Sequence, residues 1–177
     1  MADFDLAVKK TLGVEGVFSD HPKDTGGKTK YGITERRFRQ ALALGVIRGV
    51  ERIEDLAVQQ ARDIYYHFEW VTMRLDCVLD QEIAEEVFDT AVNCGVGIAA
   101  RILQETLRVY DRGIVVDGVV GPVTIGTVNR LSRTRHRNAV LKTLNILQGY
   151  RYFRLATDNP DQYLWAFDGW VNNRVRM

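Results

Sequence analysis

Glu15 and Asp24 are the residues of this chain best placed to do chemistry. They lie in the run Glu15-Gly16-Val17-Phe18-Ser19-Asp20-His21-Pro22-Lys23-Asp24-Thr25-Gly26-Gly27-Lys28-Thr29-Lys30-Tyr31-Gly32-Ile33-Thr34. Upstream, Phe4, Ala7, Val8, Thr11 and Leu12 recur at helical spacing, and one further turn puts Glu15 on the same core-facing stripe. Partial burial disfavours an ionised carboxylate, and the negative end of the helix dipole pushes the same way. Glu15 is thus set up to hold a proton near neutral pH and donate it to a leaving oxygen. Asp24 has the opposite surroundings. Backbone N–H groups from Thr25 to Lys28, the Thr25 hydroxyl and the Lys28 ammonium all favour its ionised form. Two carboxyls whose environments separate their pKa values form the acid-and-base or acid-and-nucleophile pair that cleaves glycosidic bonds. Thr29 can hold the attacking water or orient Asp24, and Gly26 and Gly27 let a bulky sugar approach the backbone. From the two carboxyls alone, a bland alternative stays open: Glu15 as a surface acid and Asp24 as the organiser of a turn.

The elements that must position these groups read mostly as helix. After the first stripe come Ala57, Ala61, Ile64, Tyr65 and Phe68; then Ile83, Ala84, Val87, Phe88, Ala91 and Val92; then Ile98, Ala99, Ile102, Leu103, Leu107 and Tyr110. Pro122 behind Gly121 predicts a short helix reaching Leu131. A longer helix is expected from about Arg137 to Ala156, and a last one from Pro160 through Tyr163, Trp165, Phe167 and Trp170. Two segments break the pattern. Residues 20–34 predict a small β-hairpin or ordered loop, with Lys28 to Ile33 as its return strand. Asp117-Gly118 is a tight-turn signal, and Asp117 is expected to organise that turn. The fold class is therefore mainly α, a helical bundle with one small β element. No linker or repeat divides the chain. A single domain over 1–177 is expected, with any seam near Leu75 to Asp80 separating lobes 1–79 and 80–177.

Bulk properties narrow the function. The chain has 177 residues, enough for one sizeable core, and a net charge of +1, so no global field demands a nucleic-acid or membrane partner. No apolar run is long enough to span a bilayer. The start, Met1-Ala2-Asp3-Phe4-Asp5, carries acids where a secretory signal carries Lys or Arg, which predicts synthesis in the cytoplasm without a signal peptide. Cys77 and Cys94 are not a disulfide framework, and Cys94 falls in register with Val87 and Ala91 as a buried free thiol. His21, His67 and His136 are scattered without metal-ligand spacing, so neither metal nor cofactor is expected. Charge is uneven: Glu69 to Asp89 holds seven acids and one Arg, and Arg130 to Thr157 holds seven Lys or Arg and no acid. Each reads either as a solvated helix face or, for the basic stretch, as a surface for an anionic polymer such as cell-wall material. Asp89 and Asn93 share a helix face that, with Glu82 and Glu86, reads as a wet surface. Tyr31 is equally suited to stack on a sugar or to pack, and Trp165 and Trp170 read as core or lobe-packing residues.

The motif Glu15-Gly16, Asp24-Thr25-Gly26-Gly27-Lys28-Thr29, Tyr31-Gly32-Ile33-Thr34 resembles the signature of glycoside hydrolase family 108, the peptidoglycan N-acetylmuramidases of phage endolysins and secretion-activator proteins. The resemblance continues through Phe88-Asp89-Thr90-Ala91-Val92-Asn93, Leu103-Gln104-Glu105-Thr106-Leu107, Val116-Asp117-Gly118-Val119-Val120-Gly121-Pro122-Val123-Thr124 and Gly169-Trp170-Val171-Asn172-Asn173-Arg174, which are similar to the family's predicted peptidoglycan-binding region. It implies an α+β lysozyme-like fold. It also implies Glu15 as catalytic acid, with Asp24 and Thr29 resembling the remaining members of the phage-lysozyme triad. Gly26, Gly27, Tyr31, Asp89 and Asn93 become substrate-binding candidates, Asn93 lining the cleft. Val17 stands where the family usually has a second glycine, and a β-branched residue resists positive φ, so the exit from the first helix differs.

These observations predict a monomeric enzyme acting on peptidoglycan glycan strands, with no nucleic-acid partner and no stable membrane insertion. It would reach the periplasmic wall by holin-type or other assisted release. Two other readings compete. One is a lytic transglycosylase, in which the sugar's own 6-hydroxyl attacks and gives a 1,6-anhydro product. The other is a non-catalytic wall-binding or secretion-accessory protein. A nucleic-acid role resting on the Arg130 to Arg154 stretch is more distant and would show as strongly salt-dependent binding to DNA.

Overall fold

The computed structural model describes residues 1–12, 18–19 and 28–175. The described residues include eight α-helices and three very short strands, besides two 3-10 turns and one π-helical turn: α1 Phe4–Leu12, β1 Phe18–Ser19, β2 Thr29–Lys30, β3 Ile33–Thr34, α2 Glu35–Ala43, α3 Val58–Tyr65, α4 Gln81–Cys94, α5 Val96–Arg108, α6 Pro122–Ser132, α7 Arg137–Asp158 and α8 Pro160–Arg174. The fold is mainly helical, as its hydrophobic periodicity predicts.

Local chemistry fixes many of the boundaries. Asp3 opens α1 by accepting hydrogen bonds from the Asp5 and Leu6 amides at 2.7 and 3.3 Å. Thr34 and Asp80 do the same for α2 and α4, through the Arg37 amide at 3.3 Å and the Ile83 amide at 3.1 Å. Pro122 and Pro160 occupy the first turns of α6 and α8, where no amide hydrogen is needed. Gly95, at φ 86°, ends α4 and starts α5 in one residue, a conformation closed to most side chains. Helix α2 has no counterpart in the sequence reading. Its segment is dominated by Glu, Arg and Gln, and only Phe38 and Ala41 are buried.

Helix α4 is the central element, packed against α1, α5, α7 and the segment after α3. Its Phe88 ring lies 5.8 Å from Phe4 and 5.7 Å from Trp70, both edge-on, in an aromatic cluster beneath α1. One hydrophobic core runs from Ala7 and Val8 through Phe38, Trp70 and Phe88 to Leu107, Val128 and Leu144. The Leu75 to Asp80 segment lies within this packing. Leu75 and Val78 are buried, Asn129 of α6 bonds the Leu79 amide and the Cys77 carbonyl at 2.9 and 2.8 Å, and the Ala2 amide bonds the Val78 carbonyl at 2.7 Å.

Four expectations are corrected. The stretch Lys28 to Ile33 is not one strand: it turns at Tyr31-Gly32, both at positive φ (53° and 75°), and pairs β2 with β3 in register Lys30↔Ile33 and Thr29↔Thr34. Trp165 is not core but 46% exposed, with its indole N–H held 2.7 Å from its own helix at Gln162. The face of Glu82, Glu86, Asp89 and Asn93 is not wet throughout, because α7 covers it and buries Glu86. Cys94 is only partly buried.

Candidate active site

The hairpin that carries Thr29 is held from three sides. β1 and β2 pair antiparallel, placing Phe18 opposite Lys30 and Ser19 opposite Thr29. Tyr65, at the end of α3, donates its hydroxyl to the Tyr31 carbonyl at 2.8 Å. Lys28 reaches Glu54 at 2.7 Å, and Lys30 donates to the Glu54 carbonyl. The Lys28 hydrogen bond, helped by backbone donation and by the charges of Lys28 and Arg52, pulls the Glu54 carboxyl down to about 2. Thr29 is buried and Tyr31 half-buried against the core, at a turn where a non-glycine residue at positive φ is locally strained. Thr29 and Tyr31 are thus brought together on one tethered element. Glu15, Asp24, Gly26 and Gly27 lie outside the described residues.

α2, which follows the hairpin, contributes to a buried pair, Arg37 and Glu69, that the sequence reading did not single out. α3 passes directly into a π-helical turn, Tyr66–Val71, a geometry that is rare and often found at functional sites. It buries Phe68, Glu69 and Trp70 in succession. Arg37 of α2 lies over the Phe68 ring, 4.4 Å from its centroid, and approaches Glu69 Oε1 at 3.1 Å. The second Glu69 oxygen is buried without a hydrogen-bond partner among the described residues. Burial pushes the Glu69 carboxyl up to about 7, outweighing the pull of Arg37. The only sequence signal was a lone carboxyl inside the apolar run Phe68-Glu69-Trp70-Val71.

Residues 8–95 match the family Glycosyl hydrolase 108, and residues 98–175 match the Predicted Peptidoglycan domain. The chain belongs to the glycosyl hydrolase 108 family. The same architecture is found in the structure of Brucella abortus SagA, with a TM-score of 0.71 at 23% identity over 97% of this chain and 91% of that one. No curated protein sequence matches the chain.

In this glycosyl hydrolase 108 protein the two matched segments meet along α4. Asp89 Oδ1 accepts from Arg174 of α8 at 2.7 Å, and Oδ2 accepts from Gln148 of α7 at 2.9 Å. Asn93 donates to the Asp89 carbonyl at 2.8 Å and more weakly to its carboxylate at 3.4 Å. Arg174 is 7% exposed, so its guanidinium is charge-compensated by Asp89 in a nearly dry setting. Asp89 and Asn93, proposed from sequence as substrate contacts, therefore sit together in the joint between the hydrolase domain and the peptidoglycan domain, with both Asp89 oxygens engaged by protein. Asp80 adds a second cross-link, gripped by Arg137 of α7 through Nε at 2.6 Å and Nη2 at 3.1 Å. Asp117 organises its own turn as expected. It accepts from the Val119 amide at 2.9 Å and from Gln104 at 2.7 Å, and these bonds hold its carboxyl below the usual range.

Proposed function

We propose that this glycosyl hydrolase acts on peptidoglycan as an N-acetylmuramidase, hydrolysing the β-1,4 bond between N-acetylmuramic acid and N-acetylglucosamine. The observation that carries the reading is a glycosyl hydrolase 108 domain and a predicted peptidoglycan domain in one short chain. Glu15 protonates the glycosidic oxygen. Asp24 activates water or stabilises the oxocarbenium-like transition state, with Thr29 positioning it from β2. The tethered hairpin supports this assignment, because a group that orients water must itself be held still. Gly26, Gly27 and Tyr31 contact the glycan, and Asp89 and Asn93 support the cleft from α4. The enzyme is a monomer made in the cytoplasm and released to the periplasmic wall with holin-type or other assistance, as suits a phage or prophage endolysin. Among the described residues no helix is long and apolar enough to cross a membrane.

The test is digestion of purified Gram-negative peptidoglycan by the wild type and by Glu15→Gln, with products weighed by mass spectrometry. Soluble muropeptides with intact reducing ends, lost in the folded variant, are the expected outcome. Products lighter by one water would reassign the reaction as transglycosylation. Binding to sacculi without any release would reassign the protein as a non-catalytic wall-binding module.

A further inference from the structure

We infer that the groove between α5 and α7 is a second peptidoglycan subsite, which holds the carboxylate-bearing muramoyl-peptide part of the polymer through Arg151 and Tyr150. The inference rests on the reading that this chain engages peptidoglycan. The groove encloses about 350 Å³, and every residue lining it falls within the segment that matches the predicted peptidoglycan domain. Ile98, Ile102 and Leu147 give it an apolar strip.

The cations around that strip are not equivalent. Arg154 is committed to Asp158 at 3.0 Å, and Arg101 donates to the Val116 carbonyl at 3.0 Å. Arg151 is half-buried, has no carboxylate within ion-pair distance among the described residues, and keeps a buried Nε without a hydrogen-bond partner. Its neighbour Cys94 supplies no counter-charge, since burial pushes that thiol up to about 11 and leaves it neutral. Because that Nε is buried, a ligand in the groove meets the terminal nitrogens of this half-buried guanidinium, which can grip a carboxylate with two parallel hydrogen bonds.

Next to it, the Tyr150 ring is 56% exposed and stacked on Phe153 at 6.4 Å. A fixed aromatic face beside an apolar strip suits the flat face of a sugar, and the adjoining guanidinium suits the acid that an N-acetylmuramoyl peptide carries and chitin lacks. Glu105 on the same lining adds one negative group, so a ligand with both carboxylates and an ammonium matches the groove better than a plain polyanion.

The experiment measures binding to the Glu15→Gln chain, in which the glycan is not consumed. Co-sedimentation with purified sacculi is scored first. Calorimetric titration then uses disaccharide tetrapeptide and, as the ligand without carboxylates, chitotetraose. Arg151→Gln is expected to weaken disaccharide-tetrapeptide binding about tenfold, the usual scale for one lost charge-assisted contact, and to flatten its salt dependence, with chitotetraose binding unchanged. Tyr150→Ala, at an exposed position that leaves the fold intact, is expected to weaken both ligands. Wild-type-like affinity for disaccharide tetrapeptide in both variants, with sacculus binding retained, overturns the subsite and leaves the broader peptidoglycan reading standing. Failure of the parent chain to sediment with sacculi overturns both.

Discussion

At the scale of single residues, the most consequential side chain after the proposed catalytic pair is Glu69. Its folded form holds a proton up to about pH 7, whereas the unfolded carboxyl releases one near 4.5. Between those values the folded state binds more protons than the unfolded state, so stability falls as pH rises through this window and levels off above it. The loss is on the order of 3 kcal/mol. Urea midpoints of the wild type should therefore be lower at pH 7.5 than at pH 5, and Glu69→Gln should narrow that gap. Parallel pH profiles for the two proteins would mean that Glu69 is ionised throughout. Glu69 carries only a faint local mark, its place in the apolar run Phe68-Glu69-Trp70-Val71, which does not by itself show that a carboxyl is buried. Its burial comes from distant elements: α4 packs on the π-helical turn, and α2 lays Arg37 over Phe68 and Glu69. Asp117, by contrast, was legible, because its turn is closed by the Val119 amide two positions away.

At the scale of elements, the hairpin is too short to be stable by itself: each strand is two residues long and isolated hairpins are marginal in water. Its position depends on the Tyr65 hydroxyl, the Glu54 contacts and the cap at Thr34. Tyr65→Phe removes the donor to the Tyr31 carbonyl while keeping the buried ring. A stability loss of about 1 kcal/mol is expected by thermal or urea unfolding. A proportionally larger fall in muropeptide release should accompany it, because Thr29 would be held less firmly. Unchanged activity in that variant would show that the hairpin is positioned by its other contacts alone. The sequence predicted most helices, through 3.6-residue periodicity and Pro at first turns. It did not disclose α2, whose apolar positions are few, nor the break at Tyr31-Gly32, where tyrosine adopts a φ that its type does not advertise.

At the scale of the whole molecule, the two family segments pack against each other and are cross-linked by ion pairs. α4 belongs to the first segment but packs on α5 and α7 of the second, and the pairs Asp89–Arg174 and Asp80–Arg137 cross the boundary. A fragment of residues 1–95 would expose the α4 face that α5 and α7 cover and would leave Asp80 and Asp89 without their partners. Such a fragment is expected to lack a cooperative unfolding transition by circular dichroism. A sharp transition close to that of the full chain would show that the hydrolase segment folds alone. The same contacts give the peptidoglycan segment a structural part in the hydrolase segment, since it braces α4, the helix against which α1 and the aromatic cluster are packed.

Sequence alone determined the helical class, the approximate extents of α6 and α7 and the start of α8, the local turn at Asp117-Gly118 and the motif that points to glycosidic chemistry. All of these follow from patterns written within one or two turns of chain, where periodicity, caps and residue types act directly. Tertiary structure alone decided which polar residues are buried. Asp89 and Arg174 are 85 positions apart and Arg37 and Glu69 are 32 apart, yet each pair shares one low-dielectric site. It likewise decided that Arg151 lines a groove with no carboxylate partner among the described residues while Arg154 has Asp158. Distant encounters of this kind depend on how helices stack, and stacking is set by the shape of the whole core and not by any local stretch of residues.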